Sequence, residues 1–326
     1  MVAQSILEGH YDPHIRKIDL TRDLSKIADL IEMCFPIASD PDGQKYVNQM
    51  RKSAREMRMV SWLSQIAEMG KVQASGFVWE ENNKIIGNLS LIPYRPVGFG
   101  LTMIANVAVH PDYRRRGIAK ALTRRALSHL RRQNANRVWL QVRDDNAAAI
   151  ALYHALGFKA RAFRTTWRIK PKALIHYKEE LDPDITLIRH RPAYWSAQKT
   201  LLEIAYPRNI RWNLPVNFSR FTPGLFQKIV NALDGMHHRH WSIEYKDEFC
   251  GVITWQKTDT YANNLWLAIS EEHEDKVLQT ALVKVCKKLS QRHPLSIDYP
   301  AGRFSAQFRA LGFGEFRTLI WMEVNL

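Results

Sequence analysis

The stretch from Asn106 to Leu122 reads "NVAVHPDYRRRGIAKAL" and predicts a strand, a basic turn and a helix in direct succession. The apolar residues before Pro111 are typical of a strand, which the proline ends. From Ile118 to Leu130 the apolar residues recur at helical spacing. The first turn of a helix exposes unpaired backbone N–H groups at the positive end of the helix dipole, so this turn is suited to bind a phosphate.

Two small residues support an anion site in this turn. Gly117 lets the backbone approach a ligand closely, and Ala119 keeps the turn narrow. The sequence has neither the GxxxxGKS/T loop of nucleoside triphosphatases nor the GxGxxG motif of dinucleotide-binding domains. The alternative is an ordinary strand–turn–helix whose arginines are simply solvated.

The composition predicts a soluble globular protein of one large or two ordinary domains. The chain has 326 residues, of which 46% are hydrophobic and 24% are charged. It contains no apolar run of about 18 residues, and its first residues lack the pattern of a signal peptide. The three cysteines, Cys34, Cys250 and Cys286, have neither a disulfide nor a zinc spacing, which predicts a cytoplasmic protein with reduced thiols.

The positive charge lies mainly in the first half of the chain. The net charge is +15; residues 1–170 hold 27 Lys and Arg against 15 Asp and Glu, and residues 171–326 hold 20 against 17. The first half should therefore attract an anion such as a phosphate-bearing cofactor, a nucleic acid or a ribosomal surface. A well-solvated basic face is the alternative interpretation.

Two tetrapeptides and their surroundings indicate an internal duplication. "ALGF" occurs at 155–158 and at 310–313, and "FRT" follows at 163–165 and at 316–318. The predicted order of helices and strands in the first half also recurs in the second. The sequence therefore predicts two domains, at residues 1–170 and 184–326, joined by the polar, proline-containing segment 170–184.

Together, the basic turn and the phrase "VWLQVRDDNAAAIALYHALGF" (138–158) resemble the GCN5-related N-acetyltransferases (GNAT superfamily) over about residues 14–170. The second phrase is similar to that of bacterial ribosomal-protein alanine N-acetyltransferases. The resemblance implies an α/β protein of tandem acyl-CoA N-acyltransferase folds, each with a mixed, mostly antiparallel central sheet flanked by helices. It also implies acetyl-CoA as the cosubstrate.

The resemblance assigns roles to particular residues. The family turn Q/R-x-x-G-x-G/A, which holds the pyrophosphate of acetyl-CoA, reads here from Arg114 to Ala119. Tyr153 is implied to lie near the thioester sulfur and to donate a proton to the leaving thiolate, with a buried structural phenol as the alternative. Asn146 is implied to bind the pantetheine arm, to cap its helix, or both. The implied cofactor-binding residues are Val107, Ala108, Val109, Arg114, Arg115, Arg116, Gly117, Ile118, Ala119, Lys120, Asn146 and Tyr153.

One position departs from the pattern of the ribosomal alanine acetyltransferases. They carry a glutamate on the strand before the tyrosine, and Gln141 stands in its place. An amide cannot act as a base, so a water chain, another residue or a neutral incoming amine must replace it. Glu80, Glu81 and His110 are candidates by residue type.

The second half lacks the residues to which the resemblance assigns chemistry. Its turn reads "ISEEHEDKVLQTAL" (269–282), in which carboxylates replace the arginines and no glycine remains. Ala301 stands at the position of Asn146, and Phe308 stands at the position of Tyr153. Since acidic side chains repel a phosphate, the second half is predicted to be a degenerate domain that does not bind CoA.

We therefore expect an N-acetyltransferase that moves an acetyl group from acetyl-CoA to a primary amine, by direct attack and without a metal. The amine could belong to a protein N-terminus, a lysine or a small molecule, as in the tandem mycothiol synthases. A non-catalytic CoA-sensing or RNA-binding module on the same fold is the alternative. The sequence predicts no membrane partner, and leaves a nucleic-acid partner and a homodimer open.

Three further features of the sequence keep a structural alternative. The histidines of "MHHRHW" (236–241) could ligate a metal, although a polar lead-in to a strand is favoured. Trp212 could line an acceptor pocket or be a core residue. Cys34 sits on a predicted helix well before the motifs in the chain, so the sequence gives no support to an acetyl-cysteine intermediate.

Overall fold

The chain folds into two compact units. A computed structural model describes residues 12–63, 75–94, 100–170, 180–189, 191–289 and 293–326, with side chains described outside 58–63. The first unit comprises Met1–Arg161 and Ile320–Leu326, and the second comprises Ala162–Leu319. The duplication had suggested domains at 1–170 and 184–326; the compact units instead group 162–169 with the second unit and 320–326 with the first.

The first unit is a mixed sheet with helices on both faces. Its elements are β1 (Ile15–Lys17), α1 (Leu20–Cys34), α2 (Pro41–Leu63), β2 (Ser75–Glu81), β3 (Lys84–Tyr94), β4 (Leu101–Val109), α3 (Ile118–Arg132), β5 (Arg137–Arg143), α4 (Ala147–Ala155) and the start of β6 (Lys159–Ile169). The strands follow the order β1-β2-β3-β4-β5. All of these pairs are antiparallel except β4 and β5, which are parallel.

Local sequence explains where these elements begin and end. The carboxylate of Asp19 caps α1 by accepting from the backbone N–H of Thr21 at 3.0 Å. Asn82 and Asn83 both adopt positive φ in the turn between β2 and β3, as a tight hairpin requires. Gly157, at φ +88°, follows α4 in a left-handed conformation, which glycine adopts without strain and which commonly ends a helix.

The two faces of this sheet carry separate apolar cores. Buried residues of α1, including Ile27 and Ile31, pack with Val78 of β2 on one face. Leu122 and other buried residues of α3 pack with Leu89 of β3 on the opposite face. The period-3.6 and period-2 patterns of the sequence thus place helices on both sides of a buried sheet.

The second unit repeats this order of elements. It contains the rest of β6, β7 (Ile185–Arg189), α5 (Trp195–Ala205), α6 (Arg208–Arg211), α7 (Leu225–Leu233), β8 (His238–Tyr245), β9 (Glu248–Gln256), β10 (Asn263–Ile269), α8 (Glu274–Leu289), β11 (Leu295–Pro300), α9 (Ser305–Ala310) and the start of β12 (Gly314–Asn325). Here β10 and β11 are parallel, as β4 and β5 are in the first unit. The predicted mixed, mostly antiparallel sheets flanked by helices are confirmed, whereas α6 and α7 were not predicted.

Among the described helices, none has both the length and the apolar character needed to span a bilayer.

Candidate active site

Strands β4 and β5 separate partway along their length. Their parallel pairing runs from Leu101 opposite Arg137 to Ile104 opposite Leu140, and the described residues beyond it do not pair. β4 nevertheless continues to Val109. One edge of β4 is therefore open over residues 105–109, and an open strand edge can pair with an extended ligand.

A bulge in β4 lies at the start of this open edge. Asn88 of β3 faces Ala108, but Ser90 faces Ala105, so β4 has additional residues between them. Asn106 lies within the bulge at φ +53°, a conformation that asparagine tolerates better than most side chains. The sequence analysis missed the bulge, although an asparagine inside an apolar strand was a signal for it.

Side-chain hydrogen bonds hold this bulge. The Nδ2 group of Asn88, which is fully buried, donates to the carbonyl of Asn106 at 2.8 Å. The Nδ2 group of Asn106 donates in turn to the hydroxyl of Tyr46, on α2, at 2.8 Å. The bulge is thereby tied both to β3 and to α2, so it is a fixed feature of the site.

The turn before α3 leaves the helix N-terminus open. Gly117 precedes the helix at φ +79°, and no side chain caps the first turn. A Cβ atom added at Gly117 would meet no protein atom within 4 Å, so space is available beside the free N–H groups. Arg115 also adopts a positive φ, of +62°. The structure thus provides the uncapped, glycine-bounded N-terminus that suits an anion.

Cations surround this helix N-terminus. Arg114 donates through Nε to the carbonyl of Val109 at 3.3 Å. Arg116 lies 3.4 Å from the carboxylate of Glu81, and its guanidinium lies 5.1 Å from the centre of the Tyr113 ring. Arg115 and Lys120 are exposed. The positive charge of the side chains therefore adds to that of the helix dipole.

Tyr153 is the buried polar residue of α4. Its side chain is 6% exposed, and its ring contacts Phe158 edge-on at 5.8 Å between centroids. Burial raises the pKa of Tyr153 to about 12. The phenol therefore keeps its proton at neutral pH and has one to donate.

Asn146 caps α4. Its Oδ1 accepts from the backbone N–H of Ala149 at 3.1 Å. This interaction accounts for the carboxamide oxygen and leaves the Nδ2 group without a partner among the described residues. The capping role is thus observed, and a ligand-binding role for the same residue remains compatible with it.

Glu80 is excluded as a base by its ion pairs. Its carboxylate contacts Arg16 and also lies 2.5 Å from Arg22. The hydrogen bond from Arg16 is the main cause of a lowered pKa for Glu80, so this carboxylate is a weak proton acceptor. Of the other candidates, His110 accepts from the backbone N–H of Asp112 at 3.3 Å and caps the turn after β4.

Cys34 lies close to the site, although it sits well before the motifs in the chain. Its Sγ lies 3.3 Å from the carbonyl of Val109, because the end of α1 comes beside the end of β4. Burial is the main cause of the raised pKa of the Cys34 thiol. A protonated thiol is a poor nucleophile, so this position gives no support to an acetyl-cysteine intermediate.

The corresponding turn of the second unit carries carboxylates, of which Glu274 is paired with an arginine. Glu274, in the first turn of α8, is 7% exposed and forms an ion pair with Arg303. Asp275 follows it in the same turn. Carboxylates therefore occupy the helix N-terminus where the first unit presents arginines.

Phe308 is a core residue of the second unit. It is fully buried and stacks on Trp167 at 5.0 Å between ring centroids. It also contacts Tyr299 and Phe313 edge-on, at 5.2 and 5.5 Å. The position that corresponds to Tyr153 is thus filled by packing and has no hydroxyl.

The remaining sequence candidates have structural partners. Both ring nitrogens of His240 are hydrogen-bonded, to Thr254 at 2.6 Å and to Gln198 at 3.0 Å. The described residues contain no group of three or more His, Cys, Asp or Glu placed to hold a metal. Trp212 follows α6 and donates to the carbonyl of Asn209 at 2.9 Å.

Comparison with known proteins agrees with the N-acetyltransferase class that the fold and the basic turn of the first unit indicate. Residues 27–158, which lie in the first unit, match the model of the acetyltransferase (GNAT) family. The [ribosomal protein bS18]-alanine N-acetyltransferase of Escherichia coli K12 is 44% identical over 62 residues, which are 19% of this chain and 42% of that protein. A mycothiol acetyltransferase of Saccharomonospora viridis is 37% identical over 112 residues, which are 33% of this chain and 35% of that protein. The chain thus spans less than half the length of either relative.

Solved structures extend the likeness in fold to both units. A GCN5-related N-acetyltransferase from Sphaerobacter thermophilus has a TM-score of 0.59 at 14% identity, covering 96% of each chain. A tandem GNAT protein from the clavulanic acid biosynthesis pathway has a TM-score of 0.51 at 15% identity, covering 95% of this chain and 98% of the other. At these identities the likeness shows the fold, and the tandem organisation expected from the duplication is confirmed.

Proposed function

We propose that the first unit transfers an acetyl group from acetyl-CoA to a primary amine, by direct attack of the amine. The observation that carries this proposal is the open edge of β4 beside an uncapped helix N-terminus. A ligand with an extended amide arm and a pyrophosphate needs these two features together.

The residues of the first unit fit acetyl-CoA. The open space beside Gly117 would accept the pyrophosphate, and Arg114 to Lys120 would surround it. Val107, Ala108 and Val109 would pair with the pantetheine arm along the open edge, and the Nδ2 group of Asn146 would add a donor. When bound, acetyl-CoA supplies the acetyl group and the thiolate that leaves.

The chain would contribute charge stabilisation and a proton. Backbone N–H groups of the open edge, aimed by the bulge at Asn106, would stabilise the negative charge that develops on the carbonyl oxygen during attack. Tyr153 would give its proton to the departing sulfur, since its raised pKa keeps the phenol protonated. Gln141 cannot take the proton of the amine, so we propose that water does.

We propose that the second unit, degenerate at its cofactor turn, does not bind acetyl-CoA. The ion pair of Glu274 with Arg303 and the packed ring of Phe308 support this proposal. The acceptor classes that the relatives suggest are a protein N-terminus, as for bS18, and a small-molecule amine, as for mycothiol synthesis.

Release of free CoA thiol, followed with a thiol reagent, tests the proposal. Three acceptors distinguish the classes: a peptide with N-terminal alanine, a lysine peptide with a blocked N-terminus, and a small primary amine. Acceptor-dependent thiol release with one of them is the expected result. Tight acetyl-CoA binding with no transfer to any amine would instead favour a CoA-sensing module.

A further inference from the structure

A cavity of about 520 Å³ in the second unit has a strongly basic lining. It lies where α7 meets the start of β8 and the end of β9. Five of its nine lining residues are basic, namely Lys228, His237, His238, Arg239 and Lys257. None of the described residues that line it is acidic.

Nearby carboxylates do not neutralise this lining. Within the described part of the chain, Lys228, Arg239 and Lys257 form no ion pair. The guanidinium of Arg239 lies 5.8 Å from the centre of the Trp255 ring. Asp234, which directly follows α7, pairs with Arg220 at 2.6 Å and so has its charge already balanced.

The composition of this half of the chain makes the cluster unusual. Residues 171–326 hold 20 Lys and Arg against 17 Asp and Glu, so an average surface there would be nearly neutral. A local group of three Lys and Arg residues without an acid in the same lining therefore exceeds what the overall composition predicts. Like charges held together repel one another, and a bound anion would relieve that repulsion.

The remaining lining suits an organic anion. Trp255, which is 7% exposed, and Met236 provide apolar contact. Asn231 is fixed in the wall, since its Nδ2 donates to the carbonyl of Arg220 at 2.8 Å and its Oδ1 accepts from Gln227 at 2.9 Å. Apolar contact with a few converging polar groups is the usual composition of a ligand site.

We propose that this cavity binds a phosphate-bearing anion, at a site separate from the cofactor turn of the first unit. The phosphate contacts Lys228, Arg239 and Lys257, and the organic part of the ligand contacts Trp255. The inference does not depend on acetyl transfer. The phosphate could belong to a nucleic-acid backbone or to a small phosphorylated compound, and the experiment separates the two sources.

Binding is measured on the full chain carrying Gly117→Glu and without acetyl-CoA, so that neither the turn at Gly117 nor a phosphate-bearing cofactor competes with the probe. Fluorescence anisotropy of a labelled 12-nucleotide oligo(U) RNA tests the backbone source, and calorimetry with inorganic pyrophosphate tests the small source. If three phosphate contacts form, RNA affinity should fall about 20-fold between 50 and 200 mM KCl. Binding of pyrophosphate without binding of RNA identifies a small ligand.

Charge-reversal variants test whether the probe binds in this cavity. K228E/R239E/K257E should weaken the binding of whichever probe, RNA or pyrophosphate, binds the Gly117→Glu chain, by at least 10-fold. The matched control K199E/K276E/K288E reverses three exposed lysines of the same unit, away from the cavity, and should weaken it less than threefold. The neutral variant K228Q/K257Q removes two of the charges without introducing acidic groups. If it also binds the probe more weakly while its thermal unfolding matches that of the Gly117→Glu chain, the loss of binding does not come from misfolding. Binding of neither probe, or equal loss in the cavity and control variants, would overturn the proposal.

Discussion

The side chain of Asn88 donates to the backbone carbonyl of Asn106 at 2.8 Å, across the bulge that separates the paired part of β4 from its open edge. Asn106 lies at φ +53°, and its own amide reaches Tyr46 on α2. Two asparagines thus determine where the backbone N–H groups of residues 107–109 lie. All three of these residues are ones that we propose to hold acetyl-CoA.

Replacing Asn88 should disturb this bulge. Asn88→Leu leaves the carbonyl of Asn106 without its donor, which should lower the free energy of unfolding by about 1–3 kcal/mol and lower kcat. Asn106→Gly keeps the left-handed backbone and removes the bond to Tyr46 and a longer one, of 3.5 Å, to Ser90, so it should cost less. Chemical denaturation and acceptor-dependent thiol release measure both effects. Equal losses of stability and kcat in Asn88→Leu and Asn106→Gly would show that the backbone conformation at residue 106 does not determine the activity of the site.

Tyr153→Phe tests the proposed proton donor. Loss of a general acid should lower kcat about 10²- to 10⁴-fold, while the Kd of acetyl-CoA stays near that of the wild type because the ring remains. Steady-state kinetics and calorimetry provide the two values. A kcat within threefold of the wild type would leave Tyr153 a structural residue.

Tyr153 also predicts a change in stability at alkaline pH. Its pKa is raised from 10.0 to about 12 in the folded protein, so the contribution to stability is complete below about pH 10 and is lost as the pH rises through 12. The wild type should therefore lose stability relative to Tyr153→Phe between about pH 10 and 12. If the difference in free energy of unfolding between the wild type and Tyr153→Phe stays constant across that pH range, the burial of the phenol is contradicted.

Phe308→Tyr is the reciprocal substitution in the second unit. Since Phe308 is fully buried against Trp167, the new hydroxyl has no room or partner, and the free energy of unfolding should fall by about 1–3 kcal/mol. No second acetyl-CoA site should appear. Thermal unfolding with and without acetyl-CoA checks both expectations, and a gain of binding would contradict the degenerate assignment.

The sequence predicted the elements that follow from local patterns. The hairpin turn at Asn82 and Asn83, the end of α4 at Gly157 and the uncapped start of α3 all follow from residue types that prefer those conformations. The duplicated "ALGF" phrase predicted the tandem organisation because each copy ends a helix in the same way. Glycine and proline positions are local constraints, so a sequence reveals them.

Contacts between residues far apart in the chain could not be predicted from the sequence. Nothing near Glu80 indicates that Arg16 and Arg22 neutralise it, since those residues lie about 60 positions away. Likewise, the contact of Cys34 with Val109 depends on how α1 packs on the sheet. The helix α7 was missed although Leu225, Ile229 and Leu233 recur at helical spacing; these residues are mostly exposed.

Calorimetric titration of acetyl-CoA into the whole protein shows whether only the first unit binds the cofactor. We expect one site per chain, lost in Gly117→Glu, which adds a negative charge where φ is +79°. Gly117→Asn tolerates that backbone without adding charge, but its side chain occupies part of the same space, so it should weaken binding less than Gly117→Glu does. Two sites in the wild type, or one site that survives Gly117→Glu, would contradict the account.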